Sequence, residues 1–126
     1  EASPRFMLIS NDVFKGFKGA FTENYALEQL KSLDKLSIYY FSKDNSSQEL
    51  DFLVQTSERV IPMEIKAEEN VKSKSLRQFI TIDQKEKNLK GLRCSMKPYV
   101  DQEWMENIPL YSILGYMSQR LEEERL

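Results

Sequence analysis

Apolar and polar residues change their spacing several times along this chain, and each change marks an expected element. From Phe17 to Leu33, FKGAFTENYALEQLKSL, good helix formers dominate after Gly19 and Thr22 is the only β-branched residue, which predicts a first helix. At 100° per residue, Ala20, Leu27, Leu30, Ala26 and Leu33 fill one arc of about 140°, with Glu23 inside it between Leu27 and Leu30. Phe17, Phe21 and Tyr25 form a second apolar side, so the pattern predicts a helix covered on two sides.

The spacing then shortens. Ile38 to Phe41 is rich in β-branched and aromatic residues and is followed by the turn-forming cluster KDNSS, which predicts a first strand. Glu49 to Gln55 and Arg59 to Ala67 read as two further strands around the short TSE turn, close enough to pair as an antiparallel hairpin. Alternation puts Val60, Pro62, Glu64 and Lys66 on one face and Ile61, Met63, Ile65 and Ala67 on the other. Glu49, Asp51 and Leu53 share a face opposite Leu50, Phe52 and Val54. Pro62, with no N–H to give to a ladder, marks a strand start, a bulge or an edge.

Helical spacing returns in SKSLRQFITID, where Ser73 is an expected cap and Leu76, Phe79 and Ile80 recur on one side as far as Asp83. Gly91 to Met96 reads as a fourth strand and Ile108 to Leu110 as a short one. A final helix starts near Tyr111, and its charged end is expected to fray. A strand reached from its neighbour through a helix runs parallel to it, so the order helix, three strands, helix, strand predicts an α/β domain with a central mixed sheet flanked by helices.

Four residues break these apolar patterns: Glu23 on the first helix, Asp51 on the second strand, Glu64 and Lys66 on the third. An isolated charge at such a position costs several kcal/mol, so each needs a partner. Two carboxylates about 4 Å apart repel by ~4 kcal/mol at an effective dielectric near 20, and a divalent cation removes that repulsion. Oxygen ligands without nitrogen or sulfur favour Mg²⁺ or Mn²⁺. Such an ion activates water and stabilises charge on a phosphoryl oxygen, while a neighbouring lysine orients the water or holds the phosphate. E-x-K in a strand is also a common exposed pair, so the motif gains weight only from the alternation, the hairpin and the helix acid together.

Composition narrows the chemistry further. The 126 residues fit a single domain, residues 1–126, that buries a core without disulfides or a structural metal, with residues 1–10 a ragged fragment end or a native strand. The absence of an initiator Met points to a fragment, and EASPRFMLIS does not resemble a secretory signal. No apolar run approaches a membrane span, and a lone cysteine, Cys94, fits a reducing cytoplasm. There is no histidine, which excludes Ser-His-Asp and Cys-His catalysis and histidine zinc sites. The four glycines are too scattered for a phosphate loop or a dinucleotide fingerprint, so no nucleotide site is expected in this chain. Net charge is −2, but residues 66–97 hold 9 basic and 4 acidic side chains, a local +5. A basic segment beside carboxylates suits a polyanionic substrate, although lysine-rich stretches are commonly ordinary solvated surface.

The order helix-Glu, strand-Asp, strand-Glu-x-Lys, helix, strand resembles the PD-(D/E)XK nuclease superfamily. More narrowly, FKGAFTENYALEQL, IYYFSKDNSSQELDFLVQ, VIPMEIKAEENVKSKSLRQFI and LRCSMKPY together resemble the C-terminal domain of a prokaryotic ATP-binding protein family, known as domain of unknown function 4143, and the resemblance covers roughly Asn11 to Leu114 in order. The resemblance implies a restriction-endonuclease-like fold, a Mg²⁺-dependent phosphodiesterase site and an AAA-type ATPase module upstream in the native chain. It would make Asp51 and Glu64 the metal ligands, Lys66 the charge-stabilising lysine and Glu23 the helix acid that assists metal or water. Gln78 falls where some members of the superfamily carry Q-x-x-x-Y, but Ile82 replaces the tyrosine, so the motif is incomplete. Lys72, Lys74 and Arg77 are placed to contact a phosphate backbone, or are simply a solvated helix start.

Three functions remain open from sequence. The first is a nuclease-like domain that binds Mg²⁺ and DNA. The second is an inactive domain of the same fold whose four polar residues survive as an ion-pair network and which regulates the ATPase or docks a partner protein. The third is a small interaction domain presenting Phe14, Phe17, Phe21 and Trp104, residues that more commonly sit in a core. Oligomeric state is not readable from the sequence.

Overall fold

The computed structural model describes residues 11–40, 51–67 and 73–125, with backbone alone for 11–20. The sequence expectations for residues 1–10, the KDNSS cluster, Phe41, Glu49, Leu50 and Lys72, and for the side chains of Phe14 and Phe17, fall outside this description. Helix α1 spans Asn11–Lys31. It is followed by strands β1 (Ser37–Tyr40), β2 (Phe52–Gln55) and β3 (Val60–Ile65), and then by the short helix α2 (Lys74–Gln78). Strands β4 (Gly91–Ser95), β5 (Val100–Asp101) and β6 (Met105–Pro109) precede the last helix, α3 (Ile113–Glu124).

The strands form one mixed sheet in the order β1-β2-β3-β4-β6-β5. β1, β2 and β3 are an antiparallel meander, β3 pairs parallel with β4 across α2, and β4 pairs parallel with β6. The expected α/β order of helix, three strands, helix, strand is therefore present. The two-residue edge strand β5, antiparallel to β6, carries no periodicity that could announce it.

Strand alternation sorts the core onto the two faces of the sheet. On one face Phe52, Val54, Ile61, Met63, Leu92, Cys94 and Ile108 pack with Ala26 and Leu30 of α1 and with Ile113 and Met117 of α3. On the other, Met105 packs with Leu76, Phe79 and Ile80, and Leu53 and Trp104 close over them. At ~25 cal/mol per Å² of apolar surface, each fully buried Leu, Met or Phe adds about 1.5–3 kcal/mol. Gly91 belongs to the second face, where a Cβ would strike Ile80 Cδ1 and meet the Leu76 methyls at 3.2 Å, so α2 and its extension settle directly on the backbone of β4.

Four sequence expectations change in three dimensions. Helix α1 buries one side, Thr22, Ala26 and Leu30, while Phe21 and Tyr25 are exposed, so the second apolar side is not covered by the described residues. Pro62 lies inside a central strand rather than at an edge. Met63 O faces β2, where it accepts the Asp51 N–H, so position 62 faces β4, and the β3–β4 ladder begins one residue later at Met63–Leu92; the missing N–H interrupts no ladder bond. The helix expected over 73–83 is α-helical only to Gln78 and widens into a π-helical turn, Phe79–Asp83, closed by Gln84 N–H to Phe79 O at 2.8 Å. Thr81 Oγ1 donates to Arg77 O at 2.6 Å, a back-bond of the kind that loosens helices at β-branched residues. Finally, the charged end of α3 is held in place: Glu124 accepts from Thr56 Oγ1 at 2.7 Å and Ser57 Oγ at 2.8 Å, which clasps the β2–β3 turn.

Candidate metal and anion site

The second face of the sheet carries a row of polar residues, one from each of β3, β4 and β6 and one, Asp51, from the position just before β2. The β2–β3 ladder ends at Phe52 and Met63, which leaves Asp51, the next residue, close enough to Glu64 for its charge to act on it; Glu64 pairs with Arg93, and Arg93 with Asn107. The row runs acid, acid, guanidinium, amide. It lies on the same face as Leu53 and Met105, next to α2 and Ser73, the residue that enters α2.

Each member is fixed by its strand and by one or two short bonds. The Asp51 carboxylate Oδ2 accepts the Ile65 N–H at 2.7 Å, while the Asp51 N–H donates to Met63 O at 3.1 Å. Lys66, one residue past β3, donates its N–H to Cys94 O at 2.9 Å, and its Nζ sits 3.3 Å from Glu64 Oε1. Glu64 is 1% exposed, and among the described residues its other oxygen, Oε2, is buried without a hydrogen-bond partner. Arg93 donates from Nε to Asn107 Oδ1 at 2.8 Å and from Nη1 to Ser73 Oγ at 2.7 Å. Asn107 is fully satisfied: Oδ1 also accepts from Ser95 Oγ at 2.7 Å, and Nδ2 donates to the carbonyls of Lys97 and Pro98. Ser73 thus serves as Arg93's acceptor, and its side chain does not cap α2 as the sequence predicts.

The electrostatics follow from this enclosure. Burial pushes the Glu64 carboxyl above its ordinary value; Lys66 and the Ser73 hydroxyl pull it back, and the negative Asp51 adds to the rise. Burial also lowers the Arg93 guanidinium, partly offset by the nearby Glu64 charge. The thiol of Cys94, on the opposite face of β4, is pushed up by burial and by Asp51, so it is neither a nucleophile nor a metal ligand at neutral pH.

The row brings together three of the sequence-derived site residues, Asp51, Glu64 and Lys66. Glu23 is exposed on α1, whose buried side covers the other face of the sheet, so the row as it stands does not include it. Lys74, Arg77 and Gln78 are exposed on α2, in the same layer as the row. No group of three or more metal-binding acids or thiols exists among the described residues. Two carboxylates are nevertheless the ordinary protein complement of a Mg²⁺ ion, which fills its other positions with water and phosphate. Both donors are hard oxygens, and a buried, unpartnered carboxylate oxygen such as Oε2 is the kind of atom a cation satisfies, so the residues present fit the ion.

Arg93, Ser95 and Asn107 were missed from sequence, although the signal was present. LRCS alternates Leu92 and Cys94 with Arg93 and Ser95, the same interruption that drew attention to Glu64 and Lys66. A second polar cluster, on the α1 and α3 face, was also missed: buried Glu106 accepts from Tyr99 Oη at 2.8 Å and Tyr116 Oη at 2.7 Å, with Arg120 Nη2 at 3.5 Å.

No helix among the described residues is long and apolar enough to cross a membrane. A search of curated proteins found no match to the chain. Against models of protein families, residues 18–113 match the domain of unknown function DUF4143. That segment holds Glu23, Asp51, Glu64, Lys66, Arg93 and Asn107, the whole of the polar row together with the helix acid. Because the match covers most of its length, the chain belongs to the DUF4143 family.

Proposed function

We propose that this domain holds Mg²⁺ or Mn²⁺ between Asp51 and Glu64 and acts on phosphodiesters of nucleic acid, DNA in the first instance, as a restriction-endonuclease-like domain of the PD-(D/E)XK type. In the same reading it is the C-terminal part of a longer cytoplasmic protein with an upstream AAA-type ATPase. The observation that carries the proposal is Glu64: a carboxylate 1% exposed, near a second acid, with one oxygen 3.3 Å from Lys66 and the other without a partner among the described residues. A core that needed only packing would not retain such a group, because an unpaired buried acceptor costs about 1–3 kcal/mol. The topology of α1, the antiparallel meander, α2 and parallel β4 supports the same fold assignment.

The roles follow from position. Asp51 and Glu64 would hold the ion, which when bound supplies an activated water and charge stabilisation at phosphorus. Lys66, part-exposed beside Glu64, holds a phosphate oxygen or orients the attacking water. Lys74 and Arg77 lie on the exposed side of the same layer, where they add sequence-independent attraction to a phosphate backbone.

A second reading, a catalytically inactive module that regulates the ATPase or docks a partner, is favoured by one observation. Two acids, Asp51 and Glu64, are matched by two cations, Lys66 and Arg93, so the row is electrically balanced without an ion. Cleavage assays on single- and double-stranded DNA with Mg²⁺ or Mn²⁺ separate the readings. Metal-dependent product that disappears in Lys66→Met and Glu64→Gln supports the nuclease; binding of metal without product, in the chain joined to its ATPase, supports the inactive module.

A further inference from the structure

Among the charges of the row, Arg93 is the one that a simple two-carboxylate metal site does not need. It stands beside Glu64 on the neighbouring strand, 8% exposed, and its Nε and Nη1 are committed to Asn107 and Ser73. Its third nitrogen, Nη2, makes no hydrogen bond among the described residues, yet it is not one of the buried orphan atoms, so it keeps contact with solvent. Asn107, 0% exposed and bonded through both ends of its amide, holds the guanidinium plane in place. A buried cation that is rigidly oriented and only partly satisfied by protein is arranged to bind an anion.

We infer that Arg93 and Lys66 flank the carboxylate pair as an anion subsite for a phosphodiester, so that cation and phosphodiester bind together far better than either binds alone. This inference rests on the metal-site reading above and deepens it. The physical reason is charge balance. Asp51 and Glu64 are already balanced by Lys66 and Arg93, so a free divalent cation that enters the row leaves it with an excess of positive charge. A phosphodiester oxygen placed against Lys66 Nζ and Arg93 Nη2 offsets part of that excess, and the cation in turn neutralises the acids that would repel the phosphate. By thermodynamic reciprocity each ligand raises the affinity of the other by the same factor. Arg93 is therefore a ligand-binding residue with a built-in penalty against free metal.

The test is calorimetric titration of Mn²⁺ into the 126-residue chain in three arms: alone, with dimethyl phosphate, and with a short oligothymidylate. Dimethyl phosphate isolates the phosphodiester group, and the oligonucleotide adds polyanion contacts. The expected result is a Kd for Mn²⁺ lowered at least about fivefold by either phosphodiester. In Arg93→Gln, Mn²⁺ alone binds more tightly than to wild type and the coupling vanishes; Arg93→Lys, which keeps the charge, retains part of it. Mn²⁺ binding in wild type that is the same with and without either phosphodiester overturns the inference while leaving the metal site standing, and this arm needs no variant to fold. Coupling that survives undiminished in folded Arg93→Gln overturns the assignment to Arg93. No Mn²⁺ binding in any arm overturns both readings.

Discussion

The carboxylate of Asp51 accepts the Ile65 N–H at 2.7 Å, at the point where the described β2–β3 ladder stops with Phe52 and Met63. One oxygen of a candidate metal ligand is thereby also part of the backbone's hydrogen-bond accounting. Removing the side chain and removing the charge should therefore have different consequences. Asp51→Ala leaves the Ile65 amide unpaired and should cost about 1.5–3 kcal/mol, the range for hydrogen bonds to charged groups. Asp51→Asn keeps an acceptor there and should lose less than half of that, while losing metal affinity as fully as the alanine variant. Urea denaturation without metal, together with Mn²⁺ titration of both variants, checks the separation.

Glu64 should work against stability when no metal is present. Its folded-state pKa is raised, chiefly by burial, so the native state binds a proton more readily than the unfolded chain does. Stability from this group is thus highest below the unfolded value and falls as pH rises through the raised folded value. At pH 7 the buried carboxyl is therefore a net cost relative to low pH. Glu64→Gln should melt a few degrees above wild type at pH 7 in a metal chelator, with the gap closing as pH falls to about 4. Saturating Mg²⁺ should reverse the order, because it binds the wild-type native state more tightly than the variant. Thermal melts with and without the chelator give the answer.

The clasp at Glu124 should show the opposite pH dependence. Burial pushes its carboxyl up, but bonds from Thr56, Ser57 and the Glu58 amide, with Arg59 nearby, outweigh this and hold it below the ordinary range. A depressed folded pKa means that the stabilisation is present above the unfolded value and is lost as pH falls through the folded one. Glu124→Gln should cost roughly 0.5–1.5 kcal/mol at pH 7 and progressively less below about pH 4. Chemical denaturation at several pH values between 3 and 7 would show that convergence.

Asn107 should be the least replaceable polar residue of the sheet. Asn107→Ala strands Arg93 Nε, Ser95 Oγ and the carbonyls of Lys97 and Pro98 at once, and should cost about 2–4 kcal/mol. Leaving Arg93 without its anchor should also weaken the phosphodiester coupling, so a stability measurement and a titration on the same variant test two consequences of one contact.

The elements were largely legible because their signals are local. Helix-forming residues mark α1 as a helix, while alternation in β2 and β3 and the spacing of Leu76, Phe79 and Ile80 mark the sides that are buried. The gathering of Asp51, Glu64 and Lys66 was legible too, since a hairpin with known alternation fixes which side chains share a face. Other features depend on the third dimension. The exposure of Phe21 and Tyr25 depends on which layers lie over α1, and the placement of Pro62 depends on the residue at which the parallel ladder begins. The roles of Arg93 and Asn107 depend on the parallel register of β3, β4 and β6, which joins residues 29 to 43 positions apart in sequence from Glu64. No periodicity reports such pairings, although the alternation within LRCS marks Arg93 as an interruption worth explaining.

The central claim is that Asp51 and Glu64 together hold a divalent cation. It is tested most directly by calorimetric titration of Mn²⁺, with oligothymidylate present, into wild type, Asp51→Asn and Glu64→Gln, each confirmed as folded by circular dichroism. The account predicts one saturable site in wild type, weakened at least about tenfold in each variant, a loss of roughly 1.4 kcal/mol or more. Wild-type binding that is absent, or that persists unchanged in both variants, would contradict it.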